Sequence, residues 1–184
     1  MASKMTRILF VCLGNICRSP TAEAVFRARA EQTGILSRLQ LDSCGTGDWH
    51  VGKAPDSRAQ RAAATRGYDL SALRARQLDP SDFDRFDYIL AMDAANLRDI
   101  IALQAASSES ASPESNASSV HIGRFLDYAS NQCHADVPDP YYGGDKGFDD
   151  VLDLIEAASD GLLAQLVDAA DAHGGPPNKP EAFQ

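Results

Sequence analysis

The chain has 184 residues, of which 44% are hydrophobic, so it is long enough to bury the core of one domain and needs no second. Its formal net charge of -9 and its pI near 4.8 argue against nucleic acid or an anionic membrane surface as a partner. Because there is no run of about 18 apolar residues and no small-residue cleavage pattern near the N-terminus, we expect a cytoplasmic protein.

The first predicted element is a buried strand over residues 7–13, an apolar run of β-forming residues that stops at the turn signal Gly14-Asn15. From Pro20 the composition becomes typical of a helix, with proline in the first turn and Gly34 as the stop signal. The order of strand, tight loop and helix places residues 12–18 between the end of a strand and the start of a helix.

Strands and helices continue to alternate along the chain. Further strands are predicted over 39–43, 88–92 and 120–125, and further helices over 56–65, 94–104 and 148–172. This alternation predicts an α/β fold of three layers, in which a four-stranded parallel sheet has helices on both faces. Ligands of such sheets bind beyond the carboxyl ends of the strands, where the first loop lies.

One domain is predicted over residues 1–172. Within it, residues 105–119 are dominated by Ser, Ala and Glu, a composition that buries too little apolar surface to fold, and they are predicted to form a flexible insertion. Residues 173–184 are predicted to form a flexible tail.

The first loop follows the pattern C-x5-R, from Cys12 to Arg18, with Ser19 next to it. Backbone N–H groups in such a loop, together with a helix N-terminus, form a cradle for an oxyanion. The planar guanidinium of Arg18 can bind two phosphate oxygens in parallel. These donors would keep Cys12 as a thiolate at neutral pH, and the Ser19 hydroxyl could donate to its sulfur. The phosphate-binding loop is therefore expected to comprise Leu13, Gly14, Asn15, Ile16, Cys17 and Arg18.

The stretch VCLGNICRSP at the N-terminus and the stretch DPYYGG near residue 140 resemble the low-molecular-weight protein tyrosine phosphatases. SCGTGDWHVG and DYILAMDAANLRDI resemble further segments of that family. The resemblance implies that the protein hydrolyses phosphotyrosine proteins or small aryl phosphates without a metal or another cofactor. Cys12 would attack phosphorus to form a cysteinyl-phosphate, and Asp139 would protonate the leaving oxygen and then activate water. We expect a monomer, with weak self-association left open.

The resemblance also implies roles for residues around the loop. Asn15 would adopt a left-handed backbone and be supported by Ser43. Cys17 would form a reversible disulfide with Cys12 and protect it from over-oxidation. A histidine that supports the loop asparagine in many relatives corresponds to Arg66 in an alignment on TRGYDL. The slot for the aryl phosphate would be lined by Trp49, His50, Tyr141 and Tyr142.

Three other functions fit parts of the pattern. Arsenate reduction on the same scaffold needs relay thiols in a mobile segment, but residues 79–100 contain no cysteine and Cys44 would have to substitute. Protein arginine phosphatases resemble this chain, but they carry a small polar residue where Ile16 stands and Phe where Tyr141 stands. A non-catalytic phosphate-binding module has no need of the nucleophile, arginine, serine and acid together.

A metal site is disfavoured, because neither the cysteines nor the four histidines show paired ligand spacing. Cys44 and Cys133 are predicted to be packing thiols. Asp93 follows a predicted strand and either supports the site or caps the next helix, and capping is the favoured interpretation.

Overall fold

The computed structural model describes residues 5–110, 120–130 and 136–173. Its four strands are Thr6–Cys12 (β1), Leu39–Gly45 (β2), Tyr88–Ala91 (β3) and His121–Arg124 (β4). All pairs are parallel, and the strand order is β2-β1-β3-β4. The predicted α/β fold with a four-stranded parallel sheet is confirmed.

The α-helices in the described ranges are Arg18–Gln32 (α1), Ser57–Thr65 (α2), Asp82–Arg85 (α3), Ala94–Ser110 (α4) and Asp145–His173 (α5). Short 3-10 helices cover Leu36–Arg38 and Phe125–Tyr128. Helix α3 and both 3-10 helices were not predicted from the sequence, because segments of three or four residues are too short to show a helical period. None of the described helices combines the length and apolar character needed to cross a bilayer.

The central strand β1 buries side chains on both faces of the sheet. Ile8 and Phe10 point into the core formed with α1 and α5, and the Phe10 ring lies between Phe26 and Phe125 at centroid distances of 5.6 and 5.1 Å. Leu9 and Val11 alternate to the other face and join a second core with residues of α3 and α4. Two apolar faces need two layers of helices, which agrees with the predicted three-layer arrangement.

Two predicted boundaries differ from the structure by three residues or more. Residues 105–110, assigned to the flexible insertion, continue α4, and Ser107 Oγ in this part donates a 2.7 Å hydrogen bond to Leu103 O. Because alanine and glutamate favour helix formation, these residues extend α4. Helix α5 begins at Asp145 rather than 148, with an acidic side chain in its first turn. Residues 111–119, Cys133 and 174–184 lie outside the described residues.

Candidate active site

The phosphate-binding loop connects the carboxyl end of β1 to the first residue of α1. Its outward-facing carbonyls are bound by neighbouring segments: Thr46 N donates to Cys12 O at 2.9 Å, Gly47 N to Leu13 O at 2.9 Å, and Asp56 N to Ile16 O at 2.7 Å. The loop is therefore anchored on its outer side by backbone hydrogen bonds, which fixes its shape before a ligand binds.

Cys12 lies at the base of this loop and is almost completely buried. Asn15 N donates to Cys12 Sγ at 3.2 Å, and Ser19 Oγ lies 3.0 Å from the same sulfur. Ser19 is itself buried, and its hydroxyl also reaches Cys44 O at 3.1 Å. Hydrogen-bond donors aimed at the sulfur stabilise negative charge on it.

Asn15 closes the loop with φ of 54°, a left-handed conformation that asparagine tolerates. Its buried side chain donates from Nδ2 to Ser19 Oγ at 2.8 Å and to Ser43 Oγ at 3.0 Å. Its Oδ1 accepts from Arg76 N at 2.9 Å. Every hydrogen-bonding atom of this amide is engaged, so Asn15 ties the loop to β2 and to the segment after α2.

Glu23 extends this network and was missed by the sequence analysis. Although it is only 5% exposed, its carboxylate accepts from Ser43 Oγ at 2.8 Å and from Arg27 at 3.0 Å. Burial raises the pKa of Glu23, and the hydrogen bonds from Ser43 and Arg27 oppose that rise. One signal could have revealed it, since Glu23 lies in α1 beside the apolar residues Val25 and Phe26 and therefore in a buried part of the helix.

The sequence left open whether Arg66 supports the loop asparagine in place of a histidine, and in the structure it does not. Arg66 follows the last residue of α2, and its NH1 donates to Asp153 at 2.7 Å and to Glu156 at 3.1 Å on α5. Because α2 packs against α5, this side chain is directed toward the acidic face of α5. The atoms that contact the loop asparagine come instead from Ser19, Ser43 and the backbone of Arg76.

Arg18 extends from the first turn of α1 across the mouth of the loop and is 3% exposed. Its NH1 donates to Asp93 Oδ2 and, at 3.1 Å, to Val137 O, while its NH2 lies 3.5 Å from Asp139 Oδ2. Burial acts to lower the pKa of Arg18, but Cys12, Asp93 and Asp139 raise it above its ordinary value. The guanidinium is therefore held charged between two carboxylates.

Asp93 has both of the roles considered for it. Its Oδ1 accepts from Asn96 N at 2.7 Å, which caps the N-terminus of α4, while its Oδ2 holds Arg18. Helix capping and support of the site are compatible because a carboxylate has two oxygens, and each serves one neighbour.

Asp139 reaches the site from the segment between β4 and α5. Its Oδ1 accepts from Tyr141 N at 3.1 Å, and its side chain is 39% exposed. The carboxylate is therefore open to solvent and lines the same cavity as Cys12.

These side chains surround a cavity of about 250 Å³. Trp49 and Tyr142 stand at its rim, 58% and 94% exposed, and the Tyr141 and Tyr142 rings meet edge to face at a centroid distance of 5.0 Å. His50 packs its ring over the backbone of Gly14. The residues that line the cavity are Cys12, Leu13, Gly14, Ile16, Cys17, Arg18, Trp49, His50, Asp139, Tyr141 and Tyr142.

The other thiols differ from Cys12 in their surroundings. Burial, together with Asp56, Cys12 and Asp139, raises the pKa of Cys17 to about 12. Burial also raises the pKa of Cys44, a residue of β2 that packs into the second core with Leu9 and Val11. Across residues 5–110, 120–130 and 136–173, no group of three or more His, Cys, Asp or Glu side chains is arranged to hold a metal ion.

A family model described as low molecular weight phosphotyrosine protein phosphatase matches residues 7–171. A low molecular weight protein-tyrosine-phosphatase of Streptomyces coelicolor is 48% identical over 160 residues, which cover 87% of this chain and 93% of that protein. The crystal structure of YfkJ from Bacillus subtilis is 40% identical, with a TM-score of 0.80 over 92% of this chain and 99% of that one.

A more distant crystal structure, that of DARP, a drosophila arginine phosphatase, is 29% identical, with a TM-score of 0.77 over 86% of this chain and 96% of that one. The match to the family model and the high identity to phosphotyrosine phosphatases over most of their length decide the assignment. The chain belongs to the low molecular weight phosphotyrosine protein phosphatase family, and it is a hydrolase that dephosphorylates phosphotyrosine through a cysteine nucleophile.

Proposed function

We propose that Cys12 is the nucleophile, Arg18 the phosphate-binding side chain and Asp139 the general acid of this reaction. The observation that carries the proposal is that all three side chains line one cavity, although Asp139 is far from the other two in sequence. Arg18 directs both hydrogens of NH1 to Asp93 and Val137 and one hydrogen of NH2 to Asp139, so its Nε–H and the other NH2 hydrogen are the donors for phosphate oxygens.

In the first step, the Cys12 sulfur attacks phosphorus opposite the leaving oxygen. The bond from phosphorus to the phenolic oxygen breaks, and Asp139 gives its proton to that oxygen. Arg18 and the N–H groups of residues 13–18 hold the three other phosphate oxygens, where negative charge is concentrated in the transition state. The products of this step are a cysteinyl-phosphate and the free phenol.

In the second step, the Asp139 carboxylate accepts a proton from a water molecule that attacks phosphorus. The bond from phosphorus to sulfur breaks, inorganic phosphate forms, and Cys12 leaves as a thiolate. The Ser19 hydroxyl lies 3.0 Å from the sulfur, and its one hydrogen, which is directed to Cys44 O in the structure, would turn to the thiolate and so improve it as a leaving group.

The lining of the cavity supports an aryl phosphate as the substrate. Trp49, Tyr141 and Tyr142 form aromatic walls above Cys12, and an aryl ring is long enough to carry phosphate to the base, while phosphoserine is too short. Phosphoarginine is the main competing substrate, because a related structure is that of an arginine phosphatase. The apolar side chain of Ile16 in the lining and the presence of Tyr141 favour phosphotyrosine.

We also propose that Cys17 forms a reversible disulfide with Cys12 when the latter is oxidised, which would protect the nucleophile. Their position in the lining of one cavity, within the same loop, supports this pairing. Peroxide treatment followed by reduction should restore activity to the wild-type protein. In the Cys17→Ser variant, recovery should be largely lost; equal recovery by both proteins would contradict the pairing.

The acidic net charge and the buried thiols support a cytoplasmic monomer that binds neither nucleic acid nor membrane. The exposed aromatic rim is compatible with weak self-association. Sedimentation over a concentration series tests this proposal, which fails if a stable dimer persists at micromolar concentration.

The roles of the three residues are tested by turnover of p-nitrophenyl phosphate, phosphotyrosine and phosphoarginine in the presence of a chelator. Cys12→Ser and Arg18→Ala should abolish turnover. Asp139→Ala should lower kcat/KM by about 100-fold or more for substrates with poor leaving groups and by less for good ones. If Asp139→Ala lost kcat/KM equally for all leaving groups, Asp139 would not be the general acid. If the wild-type protein preferred phosphoarginine to phosphotyrosine, the proposed substrate would be wrong.

A further inference from the structure

We propose that Arg58 is a positioning residue that holds the loop of the general acid in its reactive place. This inference rests on the proposed role of Asp139. Arg58 is not among the residues that line the cavity, so it would act through the backbone of the acid loop and not through the substrate.

The Arg58 guanidinium is held in one orientation by Asp56, the residue that caps α2. Nε donates to Asp56 Oδ1 at 3.0 Å and NH2 donates to Oδ2 at 2.8 Å, so the pair is bidentate. Asp56 Oδ1 also accepts from Arg58 N at 2.8 Å, which is the capping bond of the helix. A planar fork bound at two points is far less mobile than a single long side chain.

The remaining edge of the guanidinium binds the acid loop. Arg58 NH1 donates to Tyr141 O at 3.1 Å, and Tyr141 N donates to Asp139 Oδ1 at 3.1 Å. The backbone of one residue, Tyr141, therefore separates Arg58 from the carboxylate of the acid. The carbonyl of Tyr141 accepts a hydrogen bond from Arg58, and its N–H donates one to Asp139.

The faces of the guanidinium contact the same segment. Its central carbon lies 5.4 Å from the centroid of the Tyr141 ring and 5.0 Å from that of Phe148, a buried residue in the first turns of α5. Such cation–π contacts hold aromatic rings against an arginine. Arg58 thus binds the acid loop at the Tyr141 carbonyl and ring, and binds the start of the helix that follows the loop.

The same helix end is connected to the loop that carries the nucleophile. Asp56 N donates to Ile16 O at 2.7 Å, so the residue that orients Arg58 is bonded to the phosphate-binding loop. The Asp56–Arg58 pair therefore joins the two loops whose separation decides whether acid and nucleophile act on one substrate. An error of about 1 Å in such a separation can cost about 100-fold in rate.

The test is the dependence of kcat/KM on the leaving group, measured with aryl phosphates from p-nitrophenyl to phenyl phosphate. For Arg58→Ala, we expect a loss of about tenfold with phenyl phosphate and of less than about threefold with p-nitrophenyl phosphate. Arg58→Lys keeps the charge but lacks the planar fork, so it should resemble Arg58→Ala. Inhibition by inorganic phosphate should change by less than about twofold in either variant, because the phosphate loop is intact.

Arg61→Ala, an exposed arginine on the same helix, is the matched control and should behave as wild type. Thermal unfolding of each variant shows whether a loss of activity comes from loss of the folded protein or from displacement of the acid loop. A uniform loss with all leaving groups, or wild-type behaviour of Arg58→Lys, would overturn the inference. Asp139→Ala is measured in parallel. If its loss of kcat/KM depends on the leaving group while that of the Arg58 variants does not, only this inference fails. If the loss in Asp139→Ala is itself the same for all leaving groups, the proposed role of Asp139 as the acid fails.

Discussion

Ser43 Oγ donates a 2.8 Å hydrogen bond to the buried carboxylate of Glu23. Because a serine hydroxyl has one hydrogen, this bond directs the oxygen lone pairs of Ser43 toward Asn15, whose Nδ2 donates to it at 3.0 Å. The orientation of the loop asparagine thus depends on a carboxylate in α1, on the side of the loop away from the cavity.

Glu23 should make stability depend on pH. Its pKa is raised in the folded protein above the ordinary value of 4.5, mainly by burial, so the folded state binds this proton more tightly than the unfolded state does. This contribution to the free energy of unfolding is complete below pH 4.5 and is lost as the pH rises through the raised folded value.

Glu23→Gln removes this titration. The melting temperature of Glu23→Gln minus that of the wild type should therefore increase as the pH rises from 4.5 toward neutrality, as followed by calorimetry. Glu31→Gln, an exposed site on the same helix, serves as the control for the loss of one carboxyl group from α1. If the difference in melting temperature for Glu23→Gln instead decreased over the same pH range, the pKa of Glu23 would be lowered in the folded protein and not raised.

Asn15 combines a strained backbone with a fully engaged amide. Asn15→Ala leaves the half-buried amide of Arg76 without its acceptor and places alanine, which tolerates a left-handed backbone less well than asparagine, at φ of 54°. We expect a loss of about 2–4 kcal/mol in the free energy of unfolding, measured by urea titration.

Asn15→Gly loses the same hydrogen bonds but tolerates the backbone conformation, so it should be more stable than Asn15→Ala by about 1 kcal/mol. If the two variants were equally stable, the left-handed backbone would carry no cost at this position.

Gly45 allows β2 to lie close against the phosphate-binding loop. A Cβ at this position would come within 2.6 Å of Leu13 O and 3.1 Å of Asn15 N, and both atoms belong to the loop backbone. Gly45→Ala should therefore displace the loop and lower kcat/KM by about 100-fold.

At Gly123, an added Cβ meets only the movable ring of His121, at 3.3 Å. Gly123→Ala should leave kcat/KM within about twofold of wild type, because no loop backbone has to move. Near-normal activity of Gly45→Ala would show that the loop can shift without harm to the site.

The thiols should react unequally with iodoacetamide. Because the pKa of Cys17 is raised to about 12, this side chain stays a thiol at pH 7, and the buried Cys44 is protected as well. Mass spectrometry of briefly labelled native protein should find more label on Cys12 than on Cys17 or Cys44, with inorganic phosphate slowing the reaction of Cys12. Labelling in denaturant provides the control in which all four cysteines react. Equal labelling of Cys12 and Cys17 in the native protein would contradict this assignment of the reactive sulfur.

Much of the site could be predicted from a single contiguous stretch. A buried strand, the turn Gly14-Asn15 and a helix start are local features, and they bring Cys12, Arg18 and Ser19 together because these residues are at most seven positions apart. The alternation of strands and helices was also sufficient to predict the parallel sheet, since each apolar strand needs helices on both faces.

Alignment of short motifs was less reliable where no chemistry constrained the position. The letters TRGYDL align Arg66 with a supporting histidine of many relatives but leave its role open, and the packing of α2 on α5 gives it the carboxylates of Asp153 and Glu156. A charged side chain binds the partner that the packing of its helix brings within reach, and that partner cannot be read from neighbouring residues in the sequence.

By itself, then, the sequence determined the strand, loop and helix that present Cys12 and Arg18, because short-range backbone preferences decide that geometry. Only the tertiary structure decided that Arg18 is held between Asp93 and Asp139, that Glu23 is buried behind Ser43, and that Arg58 binds the acid loop. These contacts join side chains up to 121 positions apart. They depend on how helices pack across the sheet, and hydrogen bonds form only where that packing brings donor and acceptor within about 3 Å.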